Sequence, residues 1–277
     1  MYSLKLSNHN KINSYLKIFN RNFPGHFFSI PYLEWLYKKN PDGKLIGVDI
    51  FFNKEIVGHV GGVPINFIYK KKKIKSFLTI NLCLNKQYRK SGLISKAQKK
   101  LFKILKNKKF DFFIAIANTP AVKSWLKVKL KVLKPLEVKF FYPKSDSIID
   151  SDIFKNILHP RWTKKKIQWR TQSLRTNFKI IKLNNFICLK NRIKFLSALS
   201  VIKYDPNTQF SNKLQNILPK VFIGLGFAKI FNTCNLNMPL FLRPSPLIFM
   251  YKIFNKSNFK KQYLKDIQFS LADIDVY

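Results

Sequence analysis

The chain has 277 residues, and its 52 Lys+Arg against 13 Asp+Glu give a formal charge of +39. Hydrophobic residues make up 46% and include 27 Phe, enough apolar material to bury a core, which excludes global disorder. The length suits one large or two ordinary domains, no run approaches the ~18 apolar residues of a membrane span, and residues 1–20 lack the apolar block of a signal peptide, which predicts a cytoplasmic protein.

A first helix is expected around Lys11–Phe19. A second is expected at Pro31–Tyr37, where Pro in the first turn and bulky residues at helical spacing lead to the turn Asn40-Pro41-Asp42-Gly43. Leu45–Phe52, Ile56–Tyr69 and Lys75–Leu84 are rich in Ile, Val and Phe and read as strands, with hairpin turns at Phe52-Asn53-Lys54-Glu55 and at the Lys70–Lys73 run. Those four lysines read as a solvated hairpin tip. Gly61-Gly62 marks a bulge or a close backbone approach. After the loop Asn85–Gly92, the residues Leu93, Ile94, Ala97, Leu101, Ile104 and Leu105 recur at helical spacing. Asp111–Ala117 is short and almost wholly apolar, as a central strand should be. Thr119 then reads as the N-cap of a helix with Pro120 in its first turn, and Val128–Tyr142 can supply a closing pair of strands.

Arg89-Lys90-Ser91-Gly92-Leu93-Ile94 stands between a strand and a helix. In such a loop, backbone N–H groups and the helix dipole point at an anion, Gly92 lets the backbone come close, and Arg89 and Lys90 add charge. The loop, with the strands before it and the strand and helix after it, resembles the acyl-CoA site of the GNAT acyltransferase superfamily over roughly Tyr32 to Tyr142. Ile94 occupies a position that is often Gly or Ala there. Members with an aliphatic residue at that place, notably in bacterial surface-polysaccharide pathways, are similar to this chain. Asn118, followed by Ala121, resembles the superfamily's Asn-x-x-Ala pattern, in which the Asn bonds the pantetheine arm or the splayed strand. The alternative is an Asn that caps the next helix.

The resemblance implies a mixed α/β (α+β) fold, a mostly antiparallel sheet flanked by helices. It also implies acetyl-CoA, or another acyl-CoA, as cofactor. The binding residues would be Leu82, Cys83 and Leu84 on the strand, Arg89, Lys90, Ser91, Gly92, Leu93 and Ile94 in the loop, and Asn118. The reaction implied is acyl transfer to a small amine, by family analogy an amino-sugar nucleotide for surface polysaccharide. The superfamily's usual acid Tyr is not matched, since Trp125 stands in that region. The strand Phe77–Leu84 has no carboxylate, so the candidate bases by exclusion are His59 and Glu34. His59 is alternatively a packing histidine, and Cys83 reads as a buried strand cysteine rather than a nucleophile.

After a polar break at Ser145–Asp152, the second half echoes the first. Lys166-Ile167-Gln168-Trp169-Arg170 and strands around Asn184-Asn185 mirror the Trp35 helix and the strands around Asn53-Lys54. Two tandem domains are therefore expected, 1–145 bearing the cofactor loop and 146–277 a degenerate copy that shapes the acceptor site. In the copy, Leu214–Ile230 is expected as helix, and Leu240–Tyr251 and Gln268–Leu271 as strands.

Other chemistries are demoted. Cys83, Cys188 and Cys234 and the four His residues form no metal-ligand spacing, and there is no G-x-G-x-x-G or phosphate loop. The charge does not name a partner. Lys (45), Ile (31), Phe (27) and Asn (25) make 128 of 277 residues, all encodable by A and T alone, and Lys exceeds Arg, the better base and phosphate reader. Two alternatives stay open: a Fem-like aminoacyl transferase fed by charged tRNA, and a non-enzymatic nucleic-acid or anionic-lipid binding protein. The second predicts clustered charge, yet residues 1–145 carry 30 − 6 = +24 and residues 146–277 carry 22 − 7 = +15.

Overall fold

A computed structural model describes residues 1–26, 28–89, 91–142, 153–183, 186–193, 196–204, 220–227, 233, 235–243 and 245–274. The first half runs β1 (Tyr2–Leu6), α1 (Ile12–Asn22), α2 (Ile30–Tyr37), β2 (Ile46–Phe52), β3 (Glu55–Tyr69), β4 (Lys72–Leu84), α3 (Leu93–Asn107), β5 (Phe112–Ala117), α4 (Thr119–Lys127), β6 (Lys131–Pro135) and β7 (Glu137–Phe141). The second runs α5 (Ile153–Asn156), β8 (His159–Pro160), α6 (Lys164–Thr171), β9 (Lys179–Leu183), β10 (Phe186–Ile193), β11 (Leu196–Tyr204), β12 (Lys220–Leu225), β13 (Asn235–Asn237), β14 (Ile248–Ile253) and β15 (Phe269–Ser270). Both halves are mixed α/β, with mostly antiparallel sheets, as expected. The break at 145–152 and the turn at 184–185 lie outside the described residues, as does Cys234.

The chain divides into two compact units, each built from separate stretches. The first holds Met1–Asn66, Lys75–Lys134 and Leu247–Phe259; the second holds Phe67–Ile74, Pro135–Pro246 and Lys260–Tyr277. The sheet of the first unit has the order β1-β2-β3-β4-β5-β14-β6. Its α3 and α4 side buries Leu93, Ala97, Leu101, Phe102 and Trp125 against Val48, Val60, Phe77 and Phe113. The opposite face is closed by Tyr15, Phe19 and Tyr37 of α1 and α2, all fully buried. Truncating a core aromatic such as Trp125 to Ala costs roughly 3–5 kcal/mol in a setting of this kind.

The second unit has the order β13-β7-β12-β11-β10-β9, with β15 on β12. Trp162, Phe178, Leu189, Ile202 and Ala272 form a core cluster there. The tip of the β3–β4 hairpin belongs to this unit, where β8 pairs with Phe67 and Ile68.

Three expectations are corrected. β6 and β7 form but do not pair, since one residue, Leu136, separates them and cannot reverse the chain into a hairpin. β6 lies beside β14, and β7 pairs with β12 and β13. Within the expected helix 214–230, Lys220–Leu225 is a strand buried along its whole length, because a short run around Val221-Phe222-Ile223 fits a central strand as well as a helix and Gly224 and Gly226 disfavour the latter. Leu240–Leu242 is a 3-10 turn, and the strand there begins only at Ile248. Of the two alternatives at Gly61-Gly62, close backbone approach is the one found: a Cβ on Gly62 would collide with Leu78 O, and the β2–β3 register shift falls at Ile50/Phe51. The β1 strand was not foreseen; its alternating Tyr2-Ser3-Leu4-Lys5-Leu6 was the available signal.

Candidate active site

β4 and β5 pair in parallel only from Ser76–Phe112 to Thr79–Ala115. Beyond that point β5 continues on β14 while β4 runs on to Leu84, so the ladder between β4 and β5 ends and the edge of β4 past Thr79 is left without β5. Asn81 marks the departure with φ 56, a left-handed backbone that non-glycine residues adopt at a cost. Its Nδ2 donates to Tyr37 Oη at 2.9 Å, which ties the kink to α2. Leu82, Cys83 and Leu84 follow on the splayed segment.

The loop after β4 turns through a 3-10 segment, Lys86–Tyr88, and reaches Gly92 at φ 74 as the N-cap residue of α3, with no side-chain cap. A Cβ at Gly92 would meet nothing within 4 Å, so this turn presents open space at the helix start; Leu93 N donates to Ser91 Oγ at 3.4 Å, and Gly92 itself supplies no side-chain cap to the N–H groups that follow. Leu93 and Ile94 pack into the core and contribute backbone only. Ser91 Oγ donates to Tyr88 O at 2.6 Å, tightening the turn. Arg89 does not reach outward: its Nε donates to Leu84 O at 3.2 Å and its Nη2 lies 3.5 Å from Asn22 Oδ1, so it staples the loop to the end of β4. Lys90 lies outside the described residues. The diverging strands, the glycine turn and the helix start together fit the thioester arm and pyrophosphate of an acyl-CoA.

Asn118 is the N-cap of α4, its Oδ1 accepting from Ala121 N at 3.2 Å. This corrects Thr119, which is the first helical residue, and agrees with the capping alternative for Asn118.

His59 is fully buried. Its Nδ1 is 2.8 Å from Asp49 Oδ1, directly across the β2–β3 ladder. Asp49 also accepts from Ser7 Oγ at 2.7 Å and Tyr15 Oη at 2.9 Å, and Tyr15, Phe19 and Tyr37 rings surround the imidazole. Its Nε2 is buried without a hydrogen-bond partner, facing Gly61, where a Cβ would come within 2.6 Å. Burial, reinforced by Asp49, pushes the Tyr15 hydroxyl far up, and burial does the same to the Cys83 thiol. A thiol so held is a poor nucleophile. Glu34 lies apart from this cluster on the exposed side of α2, paired with Lys38 at 2.8 Å; its hydrogen bond to Lys38 holds the carboxyl below the usual range. Asp49 escaped the sequence reading, although a lone carboxylate inside the apolar strand Ile46–Phe52 was a usable signal.

Among the described residues no His/Cys/Asp/Glu group could hold a metal, and no helix is long and apolar enough to cross a membrane.

Residues 12–128 match the model of the acetyltransferase (GNAT) family. No curated protein matches the sequence. Over nearly its whole length the chain resembles a conserved protein of unknown function from Enterococcus faecalis, described as a probable N-acyltransferase (9% identity, TM-score 0.64, covering 94% of this chain and 74% of that one). It also resembles a GCN5-related N-acetyltransferase from Anabaena variabilis (10%, 0.61, 92% and 73%) and Eis1 from Mycobacterium abscessus (7%, 0.59, 92% and 74%). At these identities the structures speak to the fold. Over residues 12–128 the chain is thus similar to a family of acyltransferases whose donor is acetyl-CoA.

Proposed function

We propose that the chain is an acyl-CoA-dependent N-acyltransferase, N-acetyl transfer in the first instance, acting on a small amine, with an amino-sugar nucleotide of surface-polysaccharide synthesis as acceptor. The observation that carries this is the open, left-handed Gly92 at the start of α3, beyond the β4/β5 splay. The cofactor would supply an acyl thioester; the amide C–N bond forms as the C–S bond breaks, and the thiol leaves with a proton. The chain's part is binding and orientation: first-turn N–H groups of α3 hold the pyrophosphate, the free edge of β4 past Thr79 aligns the arm, and a β4 N–H polarises the carbonyl. The amine attacks as the neutral base, which asks little of a side chain. Of the two candidate bases, the enclosed His59 acts through position, tying β2, β3 and α1 together. Glu34 is the accessible one, worth roughly 10²-fold or more if it takes the proton.

We also propose that the second unit is a worn copy of the first, the halves exchanging one strand each. Matching order supports it: the meander β2-β3-β4 with β5 parallel to β4 is repeated by β9-β10-β11 with β12 parallel to β11. In each sheet the next strand, β14 or β7, comes from the other half of the sequence.

Calorimetric titration with acetyl-CoA should show micromolar binding that falls at least tenfold in Gly92→Glu/Arg89→Ala, while Cys83→Ala keeps turnover and Glu34→Gln lowers it. Absence of binding by any acyl-CoA would sink the reading. Loss of turnover in a folded Cys83→Ala would instead point to a covalent intermediate, and a stable, salt-sensitive tRNA complex would favour aminoacyl transfer.

A further inference from the structure

The side of α1 that lines a cleft with the β2–β3 turn is not used by the site described above. Ser14, Lys17, Ile18 and Arg21 follow at i, i+3, i+4 and i+7 and share one face of the helix. With Lys11, Phe51 and Lys54 they line a cleft of about 320 Å³ in the first unit, within the roughly 300–1,000 Å³ range of small-molecule sites. Four cations, Lys11, Lys17, Arg21 and Lys54, line it against a single carboxylate, Glu55. None of the four is among the ion pairs of the described residues. Lysines stand all over a chain of charge +39, but here they converge on a concavity, where low-dielectric walls focus their potential.

The walls are set by the fold. Lys54 sits in the β2–β3 turn at φ 73, a left-handed position that costs a side-chain-bearing residue ~1 kcal/mol. Lys11 rests its ammonium 4.9 Å from the Phe51 ring centroid. The buried Asn85 closes the cleft, and its Oδ1 accepts from Asn22 Nδ2 at 2.8 Å. Asn22 Oδ1 in turn faces Arg89 Nη2. The cleft and the Gly92 loop therefore share the Asn22–Asn85 wall. A guanidinium fork with several ammonium point charges suits phosphate oxygens, and converging unpaired cations favour a ligand with more than one negative charge.

We propose that this cleft is a phosphate-binding subsite that takes the phosphate or diphosphate group of a ligand of the acyl-transfer reaction, a placement that rests on the acyl-CoA reading. The group can come from two sources, the ribose phosphate of the cofactor or a phosphate on the acceptor.

Calorimetry on the full chain tests it. Inorganic pyrophosphate is titrated into Gly92→Glu, whose loop is blocked, with and without Lys17→Gln/Arg21→Gln/Lys54→Gln. All three substituted side chains are exposed, so folding is not at stake. The triple change is expected to weaken pyrophosphate at least tenfold. A control that removes the same charge at the β3–β4 tip, Lys70→Gln/Lys71→Gln/Lys72→Gln, should leave it within about twofold. Acetyl-CoA and its 3′-dephospho form, titrated into chains with Gly92 intact, then separate the sources. If the cleft holds the cofactor's phosphate, the dephospho form binds wild type about tenfold more weakly and the triple variant erases that difference; if it serves the acceptor, the two bind alike. No measurable pyrophosphate binding, no loss in the triple variant, or an equal loss in the control overturns the subsite. Failure of wild type to bind any acyl-CoA overturns the enzyme reading separately and leaves the pyrophosphate result standing.

Discussion

Asp273 carries its charge into the core of the second unit, where Oδ2 accepts from Ser270 N and Ser270 Oγ and Oδ1 is buried without a partner. Burial pushes its carboxyl up from 3.8 to about 6, although Lys166 and the Ser270 hydrogen bonds pull the other way. The folded state thus binds this proton more tightly than the unfolded state. The resulting stabilisation is fully present below the unfolded value and is lost as pH rises through the folded one. A rise of this size corresponds to roughly 3 kcal/mol. Asp273→Asn, which removes the charge and keeps an acceptor, should therefore gain on wild type in thermal unfolding as pH is raised from 4 to 7.5; parallel profiles would refute the assignment. The same contrast explains which residues were legible. Gly92 was readable because its role is local, a left-handed turn at a helix start. Asp49 was not, because His59 and Tyr15 meet it only through packing; Ser270 caps Asp273 locally, but its burial near Lys166 and Arg170 comes only through packing.

At the scale of elements, β14 shows what a strand gains from distant anchors. Asp111 precedes β5, its Oδ2 accepting from Lys75 N and its Oδ1 from Asn255 Nδ2 and Asn258 Nδ2. Its own carbonyl accepts from Phe254 N and Asn255 N, and Phe112 stacks on Phe259 with centroids 4.2 Å apart. One buried carboxylate thus ties β4, β5 and the end of β14 together at the Phe112–Ile253 end of the ladder. Losing several charge-assisted hydrogen bonds at about 1.5–3 kcal/mol each is not fully additive. Asp111→Ala should still cost about 3 kcal/mol or more and speed hydrogen exchange at Ile248–Ile253 ahead of the rest of the sheet; uniform exchange would exclude this anchoring role. Elements with strong local periodicity, α1, α2, α3 and the β2–β3–β4 meander, were readable in the sequence. The strand inside 214–230 was not, because its neighbours β7 and β11, rather than its own pattern, select extended backbone.

Across the whole molecule, the strand orders carry a consequence for truncation. A chain ending at residue 142 keeps β1 to β7 but loses β14, which stands between β5 and β6. It would expose the edge of the central strand Phe112–Ala117, an aggregation hazard. Such a fragment is expected to be insoluble or to unfold well below the full chain, and a synthetic peptide spanning 245–260 should restore soluble, cooperative folding. A stable fragment without the peptide would remove β14 from its structural role. The sequence alone determined the mixed α/β class, the core helices and hairpins, and the glycine loop, since propensity, periodicity and turn chemistry act over a few residues. Only the tertiary structure decided where the closing strands go, that His59 is enclosed by Asp49 and three aromatic rings, and which four of 52 cations meet in a cleft. Those are relations between residues far apart in the chain, and burial and long-range strand pairing alone bring them together.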